Sequence, residues 1–453
     1  MKKLHPDAIA FLLIIIVLGI ANFVNINKPE ISEIENRALK KKPQLKISSI
    51  IDGSYFRDYT DYYSDTFILR DNFLKISSDI QQALFIRDTD VKIIVSDKSD
   101  GYMNTPEAND DKYKSGDNGT PDEKIPGPAS TLSPGGAPTT TPESTEKPYN
   151  EADGVGYWLV VDGQAVELFK FNKDNFDFYA KVLNECYEKL GGKMPVYSLI
   201  APTNSEFVEL RKYKGITDSQ NNAILYLNSK FDEGITAVNA YDILNRHKEE
   251  YIYFRSDHHW TALGAYYAYT AFMKSKGEEP VPLEEYEVVQ IDNFLGSTYA
   301  QTRDKSIEKN PDTIYAYLPF VDYKYEKYRW YQCSEVDIID MGYADTKLDK
   351  YLVFLSAGDG TWSRISTDNK NGKKLLVIKD SYGNCFVPFL LPHYEEIYVV
   401  DPRFYDYNTS EKNVVDFIEA KGINEVLFIN YMENVNYKDF MLSLERLVNN
   451  ENQ

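Results

Sequence analysis

Three side chains, far apart along the chain, have the types an acyl-transfer site needs. Asp257 and His259 stand two positions apart in the string Ser256-Asp257-His258-His259-Trp260, and Ser381 follows in Lys379-Asp380-Ser381-Tyr382-Gly383. A serine hydroxyl attacks a carbonyl at neutral pH only when a base removes its proton and a carboxylate holds that base in one tautomer. In an extended segment an Asp-x-His pair points both side chains to one side, so the carboxylate can take one imidazole N–H while the other nitrogen faces outward. Ser381 would be the nucleophile, His259 the base and Asp257 its orienting partner.

The elements around these residues must place them at one edge of a sheet. Lys373 to Ile378 reads as a buried strand running into Ser381, and Phe386 to Leu390 as the opening of a helix. A serine on such a turn lies where backbone N–H groups can stabilise an oxyanion. Tyr382, directly after the nucleophile, is expected to offer its N–H, and Gly383 to keep the turn tight.

Other readings of the same residues stand beside this one. Ser256 or Asp257 could cap a helix beginning near Thr261, and Asp380-Ser381 could be a turn without chemistry. Asp257, His258 and His259 are all potential metal ligands, but adjacent side chains in an extended segment diverge and no further His or Cys cluster completes a shell, so no metal and no cofactor is expected. Two of only 5 histidines lie side by side next to a carboxylate, which favours the acyl-transfer reading. Cys385, four residues after Ser381, is an alternative nucleophile with no base as well spaced for it.

The motifs Asp257-His258-His259-Trp260, Asp380-Ser381-Tyr382-Gly383, Glu35-Asn36-Arg37-Ala38-Leu39, Tyr63-Ser64-Asp65-Thr66-Phe67 and Arg70-Asp71 resemble those of the DHHW family, related to bacterial alginate O-acetylation proteins. The resemblance runs from about Glu33 to the last helix. It implies an SGNH-hydrolase-like three-layer α/β/α domain in which the Asp-His block precedes the serine. It also implies an acetyl group carried on Ser381, a polysaccharide acceptor, a membrane-bound O-acyltransferase supplying acetyl groups, and work outside the cytoplasmic membrane. Alginate-type relatives usually have threonine where this chain has His258.

Composition bounds the rest. The chain has 453 residues, enough for a large core, and a formal net charge of −20 from 50 basic and 70 acidic residues. That charge argues against nucleic acid and anionic headgroups as partners and slightly favours a neutral or weakly charged glycan. The 3 cysteines, Cys186, Cys333 and Cys385, show no disulfide framework, and Cys186 fits a helix's apolar stripe.

Lys2 and Lys3 precede an apolar run from Ala8 to Val24, at the short end of the roughly 17–25 residues of a membrane span. A membrane anchor or signal segment over 1–27 is expected, an uncleaved single-pass anchor being favoured; Arg37 and Lys40 to Lys42 after the run outnumber the two lysines before it, so charge does not set the orientation, and it is the family resemblance that implies a catalytic domain outside. Residues 28–103 form a membrane-proximal segment and the start of that domain. Residues 104–150 are rich in Pro, Thr, Ser and Gly and are expected to be a disordered insertion, because Val91–Val95 before it and Tyr157–Val161 after it read as strands that could pair. From 151 to 453 strands and helices alternate as in an α/β domain with a mostly parallel sheet.

Strands are expected at 196–200, 234–238, 375–378, 396–400 and 425–429, and helices at 175–190, 219–231, 261–275, 414–421 and 437–448. Ligands gather at the carboxyl ends of such strands. That rule marks Asn204 and Arg403 as candidates for binding the acyl oxygen or the glycan, unless each only pairs locally. Tyrosines number 36. Tyr266, Tyr267 and Tyr269 fall on an expected helix and should pack. Tyr323, Tyr325, Tyr328, Trp330 and Tyr331 suit a glycan-contacting surface, or belong to a β-rich subdomain inserted over 282–368. Three function classes follow: a polysaccharide O-acetyltransferase, a carbohydrate acetylesterase with the same triad, and a noncatalytic glycan-binding assembly subunit.

Overall fold

A computed structural model describes residues 6–26, 28–32, 37–51, 53–84, 91–97, 155–210, 213, 215–345 and 349–450. The main sheet has eight strands, numbered in chain order: β1 Val196–Ala201, β2 Ile235–Ala237, β3 Tyr323–Arg329, β4 Gln332–Glu335, β5 Trp362–Thr367, β6 Lys374–Lys379, β7 Glu396–Val400 and β8 Glu425–Tyr431. They lie side by side as β4-β3-β5-β7-β6-β8-β1-β2. From β7 to β2 every pairing is parallel. The edge β5-β3-β4 is antiparallel.

The central strands are apolar on both faces, as a sheet covered on both sides requires. Leu375 and Val377 of β6 enter one core, together with helices Ala240–Arg246 and Ala262–Ser275. Leu376 and Ile378 enter the other, with helices Lys173–Lys189, Gln220–Asn228, Val414–Lys421 and Lys438–Asn449. The result is a mixed α/β fold in three layers. Side chains that accept from first-turn amides mark the helix starts: Asn172, Ser219, Asn239, Thr261 and Asn413. Thr261, not Ser256 or Asp257, caps the helix after the histidines.

Two expectations are corrected. After Ser381 no α-helix opens; Ser381–Gly383 is one 3₁₀ turn, and Val387–His393 is a second 3₁₀ segment in which Pro388 and Pro392 remove backbone donors. The stretch 282–368 is not a separate subdomain either. Glu287–Phe294 pairs with Asp312–Leu318 apart from the main sheet, but β3, β4 and β5 extend it.

Val91–Asp97 pairs antiparallel with Val155–Val161, which pairs with Gln164–Glu167. The segment expected to be disordered, 104–150, lies outside the described residues. Near the N-terminus, Pro6–Val24 is helical, and among the described residues no helix is long and apolar enough to cross a membrane. The described residues around the Arg37-Ala38-Leu39, Asp65 and Arg70-Asp71 stretches are tied together. Ile31–Ser32 pairs with Arg37–Ala38, the Lys40 N–H donates to Asp65 at 2.9 Å, and Ser32 Oγ donates to Asp71 at 2.9 Å. Asp65 also lies 3.8 Å from the Arg70 guanidinium.

Candidate active site

Asp257, His259 and Ser381 meet at the carboxyl edge of the sheet. His259 Nδ1 lies 2.6 Å from Asp257 Oδ1, and Nε2 lies 2.8 Å from Ser381 Oγ. Asp257 and His259 are buried while Ser381 keeps some exposure, so only the serine end of the relay is reached from outside. The backbone at 255–259 is bent rather than extended, because Asp257 Oδ1 also accepts the His259 N–H at 2.9 Å. The pairing expected from a strand is thus achieved by a tight side-chain turn.

The other carboxylate oxygen is held by a residue the sequence did not single out. Asp257 Oδ2 accepts from the Ser297 N–H at 2.8 Å and from Ser297 Oγ at 2.9 Å. A Cβ on Gly296 would lie 2.3 Å from Asp257 Oδ2, so only glycine allows that approach. Burial alone would raise the Asp257 pKa; the two imidazoles and the His259 hydrogen bonds reverse this and hold the carboxyl well below its ordinary range. Ser256 fixes the loop from behind, donating from N–H and Oγ to buried Asp312 at 2.7 and 2.5 Å.

His259 lies against two other rings. Tyr351 stacks on one face at 3.8 Å and 7°, and the His258 ring lies 3.8 Å away at 38°. Tyr351 also donates from its hydroxyl to the Ser381 carbonyl at 2.9 Å, so one side chain touches both the His259 ring and the Ser381 backbone. His258 Nδ1 is 2.5 Å from Ser297 Oγ. Because the Ser297 proton goes to Asp257, His258 must donate its own Nδ1–H. Burial, with the neighbouring His259 adding to it, pushes the His258 pKa down to about 3, so this ring is neutral.

The two histidine rings therefore lie together instead of diverging, and the ligand atoms of Asp257, His258 and His259 fall within 4.8 Å of one another. Asp257 Oδ1 and Oδ2 and both Nδ1 atoms are engaged in the hydrogen bonds just described, which suits a proton relay better than coordination. Cys385 is buried, its thiol pushed up to about 12 by desolvation, and it contacts the Tyr351 hydroxyl at 3.3 Å. It does not have the thiolate character of a nucleophile.

Asp380 organises the turn that carries Ser381. Its Oδ1 accepts the Tyr382 N–H at 2.9 Å; its Oδ2 accepts the Tyr431 N–H at 2.7 Å and Asn434 Nδ2 at 2.6 Å. The Gly383 N–H donates to the Asp380 carbonyl at 3.0 Å. The expectation that the Tyr382 amide faces an oxyanion does not fit this geometry, since Asp380 already holds it. Gly383 serves space: a Cβ there would lie 2.7 Å from Lys379 Cβ. Buried Tyr382 stacks on Tyr431 at 4.8 Å, and Trp260 Nε1 donates to the Tyr382 carbonyl at 3.0 Å, which ties the two motif blocks together.

The other two candidates sit on the same edge but are engaged locally. Asn204 Nδ2 donates to the Ala165 carbonyl at 2.9 Å, joining the end of β1 to the 164–167 strand. Arg403 pairs with Asp401 through Nε at 2.9 Å and one Nη at 2.7 Å, and Asp401 also receives buried Lys379 at 3.4 Å. Arg403 is still near enough to act electrostatically on His258 and Asp380.

A three-layer α/β protein with a Ser-His-Asp relay on the carboxyl edge of its sheet is the class that fold and site define. The DHHW protein family matches residues 138–400, a stretch that holds both motif blocks, and the chain belongs to that family. A DHHW family protein of Eubacterium siraeum is 31% identical over 64% of this chain and 94% of its own, with a TM-score of 0.58. Bacillus cereus PatB1 is 20% identical over 63% of this chain and 99% of its own, with a TM-score of 0.54. PatB1 with a sulfonyl adduct gives 18%, 62%, 98% and 0.52. At such identities PatB1 shows a shared fold. Among curated proteins none matches the chain.

Proposed function

We propose that this protein is an SGNH-hydrolase-like O-acetyltransferase that acetylates an exported polysaccharide through an acetyl-Ser381 intermediate. The observation that carries the reading is the continuous relay Asp257–His259–Ser381, with spacings of 2.6 and 2.8 Å. In the first half-reaction Ser381 Oγ attacks the acetyl carbonyl, His259 Nε2 takes the hydroxyl proton, and that proton passes to the departing donor oxygen. In the second, an acceptor sugar hydroxyl gives its proton to His259 and attacks the acetyl carbonyl; Ser381 Oγ leaves and recovers the proton. Asp257 stays ionised and supports the imidazolium formed in each half.

With Tyr382 and Gly383 amides bound to Asp380, the backbone donor assigned to the oxyanion is the N–H of Ser381 itself. Arg403 and Asn204 act in this scheme by shaping the edge rather than by touching the acyl group. The exported acceptor, a membrane-bound O-acyltransferase as the source of acetyl groups, and attachment to the cytoplasmic membrane belong to the same proposal. The exposed apolar residues Leu13 to Val17 on the first helix support the attachment.

The test is to supply a small activated acetyl ester with and without polysaccharide from the producing cells, and to follow where the acetyl group goes. Ser381-dependent acetyl esters on the polysaccharide are expected. Release to water alone, undiminished by the polysaccharide, would make the protein an esterase and overturn the transferase reading.

A further inference from the structure

Strand direction places a second group of residues on the edge that carries Ser381. β3 is antiparallel to β5, and β5 to β7, so β3 ends where β6, β7 and β8 end. The turn leaving β3 is Trp330 and Tyr331, before β4. In the order β3-β5-β7-β6 three strand spacings separate this turn from the nucleophile's strand, roughly 14 Å at ~4.8 Å each.

The turn is built on a fixed base. Trp330 has φ 51°, its N–H donates to Thr361 Oγ1 at 3.3 Å, and the Thr361 N–H donates to the Tyr328 carbonyl at 2.8 Å. Tyr328 stacks on Trp362 at 3.8 Å and 12°. A Cβ on Gly360 would meet Lys327 Cγ at 2.8 Å, so the two segments pack as closely as they can. On this base Tyr331 is 86% exposed and Trp330 37%.

The turn is also joined to the acyl-transfer site. Arg329 pairs with Asp359, which follows Leu355, Ser356, Ala357 and Gly358, four residues in succession with positive φ. Such a run is costly unless its surroundings hold it. Here Lys327 Nζ donates to the Ser356 carbonyl at 2.6 Å and Lys379 Nζ to the Gly358 carbonyl at 2.8 Å. Lys379 is two residues before Ser381. The Tyr331 hydroxyl reaches the Asn408 carbonyl at 3.5 Å, in the loop after β7 that carries Arg403.

We propose that Trp330 and Tyr331 form an aromatic subsite that holds a distant sugar ring of the acceptor chain while another ring presents its hydroxyl at Ser381. This rests on the acetyltransferase reading and deepens it: the acceptor is recognised as a chain and not as a single sugar. A flat apolar ring with a polar tip matches a pyranose face, and the separation exceeds what one sugar ring spans. A monosaccharide bound at Ser381 does not reach the turn; a polysaccharide running along the edge does.

The experiment uses the full chain, its Trp330→Ala and Tyr331→Ala variants and the double variant. Two activities are measured: turnover of a small activated acetyl ester, and acetyl transfer to polysaccharide extracted from the producing cells, whole and as fragments graded by length. Expected are small-ester turnover close to wild type and a KM for whole polysaccharide raised about tenfold by loss of one stacked ring, with kcat little changed. The effect should vanish for the shortest fragments. An unchanged KM for the whole polysaccharide, or an equal loss on the small ester, would overturn the subsite. Wild-type protein with no Ser381-dependent acetylation of any carbohydrate would instead sink the acetyltransferase reading beneath it.

Discussion

At the carboxyl edge of the main sheet Asp257, Asp380 and Asp401 are buried, and each is met by several donors. Along the N-terminal helices and the turns between them the balance is reversed: Phe23 and Ile26 are 89% and 90% exposed, and Leu13, Ile16, Ile47, Phe56 and Leu69 are exposed as well. Buried charge is tolerated only when its partners are in place, so the first region is fixed in advance for chemistry. Among the described residues this is the largest run of exposed apolar side chains, the kind of surface on which an attachment to something outside the chain would rest. In the proposed function the first region carries out the reaction and the second bears on attachment, and variants in each should separate those effects.

Ser381→Ala should give the largest effect, a loss of about 10⁶ in turnover of an acetyl ester with the thermal unfolding midpoint unchanged. Asp257→Asn should cost about 10⁴, because an amide in that position favours the wrong tautomer of His259. Tyr351→Leu should cost roughly tenfold. The ring stacked on His259 holds the imidazole in line with Ser381, so its removal should lower kcat with little change in KM for a small ester. Tyr351→Phe, which keeps the ring, should retain most of the turnover; an equal loss in both variants would remove stacking as the cause.

His258 gives a pH-dependent stability prediction. Its folded pKa, about 3, lies below the ordinary 6.5, so between these values the unfolded chain binds the extra proton and stability rises with pH. The contribution is complete above pH 6.5 and lost as pH falls toward 3. His258→Gln should flatten the unfolding midpoint against pH in this window, and an unchanged slope would show that His258 is not held neutral. The smallest effect on catalysis is expected from Phe23→Ser with Ile26→Ser: small-ester turnover close to wild type, but less protein recovered in the membrane fraction.

Much of the fold was legible because it follows from short-range patterns. The runs Leu375–Ile378 and Val426–Ile429 are apolar on both faces, and the side chains of Asn172, Ser219 and Asn413 announce the helices they cap. That Asp257, His259 and Ser381 would meet was legible from type and spacing. Their surroundings were less so. Ser297 holds Asp257 from 40 positions away, and nothing in Leu295-Gly296-Ser297 signals it. Tyr351 lies in a stretch without periodicity. The Tyr382 amide was misjudged although a signal existed: an Asp directly before a helical turn accepts that turn's amides, and Asp380 does so. The 3₁₀ geometry after Ser381 likewise follows from Pro388 and Pro392, which the apolar pattern of 386–390 masked.

The most direct test of the central claim is intact-protein mass spectrometry after brief exposure to an activated acetyl ester, with peptide mapping of the adduct. A single acetyl group on Ser381, absent from Ser381→Ala and strongly reduced in His259→Ala, is the predicted result. An adduct of equal yield in Ser381→Ala, or one mapped to Cys385, would contradict the account.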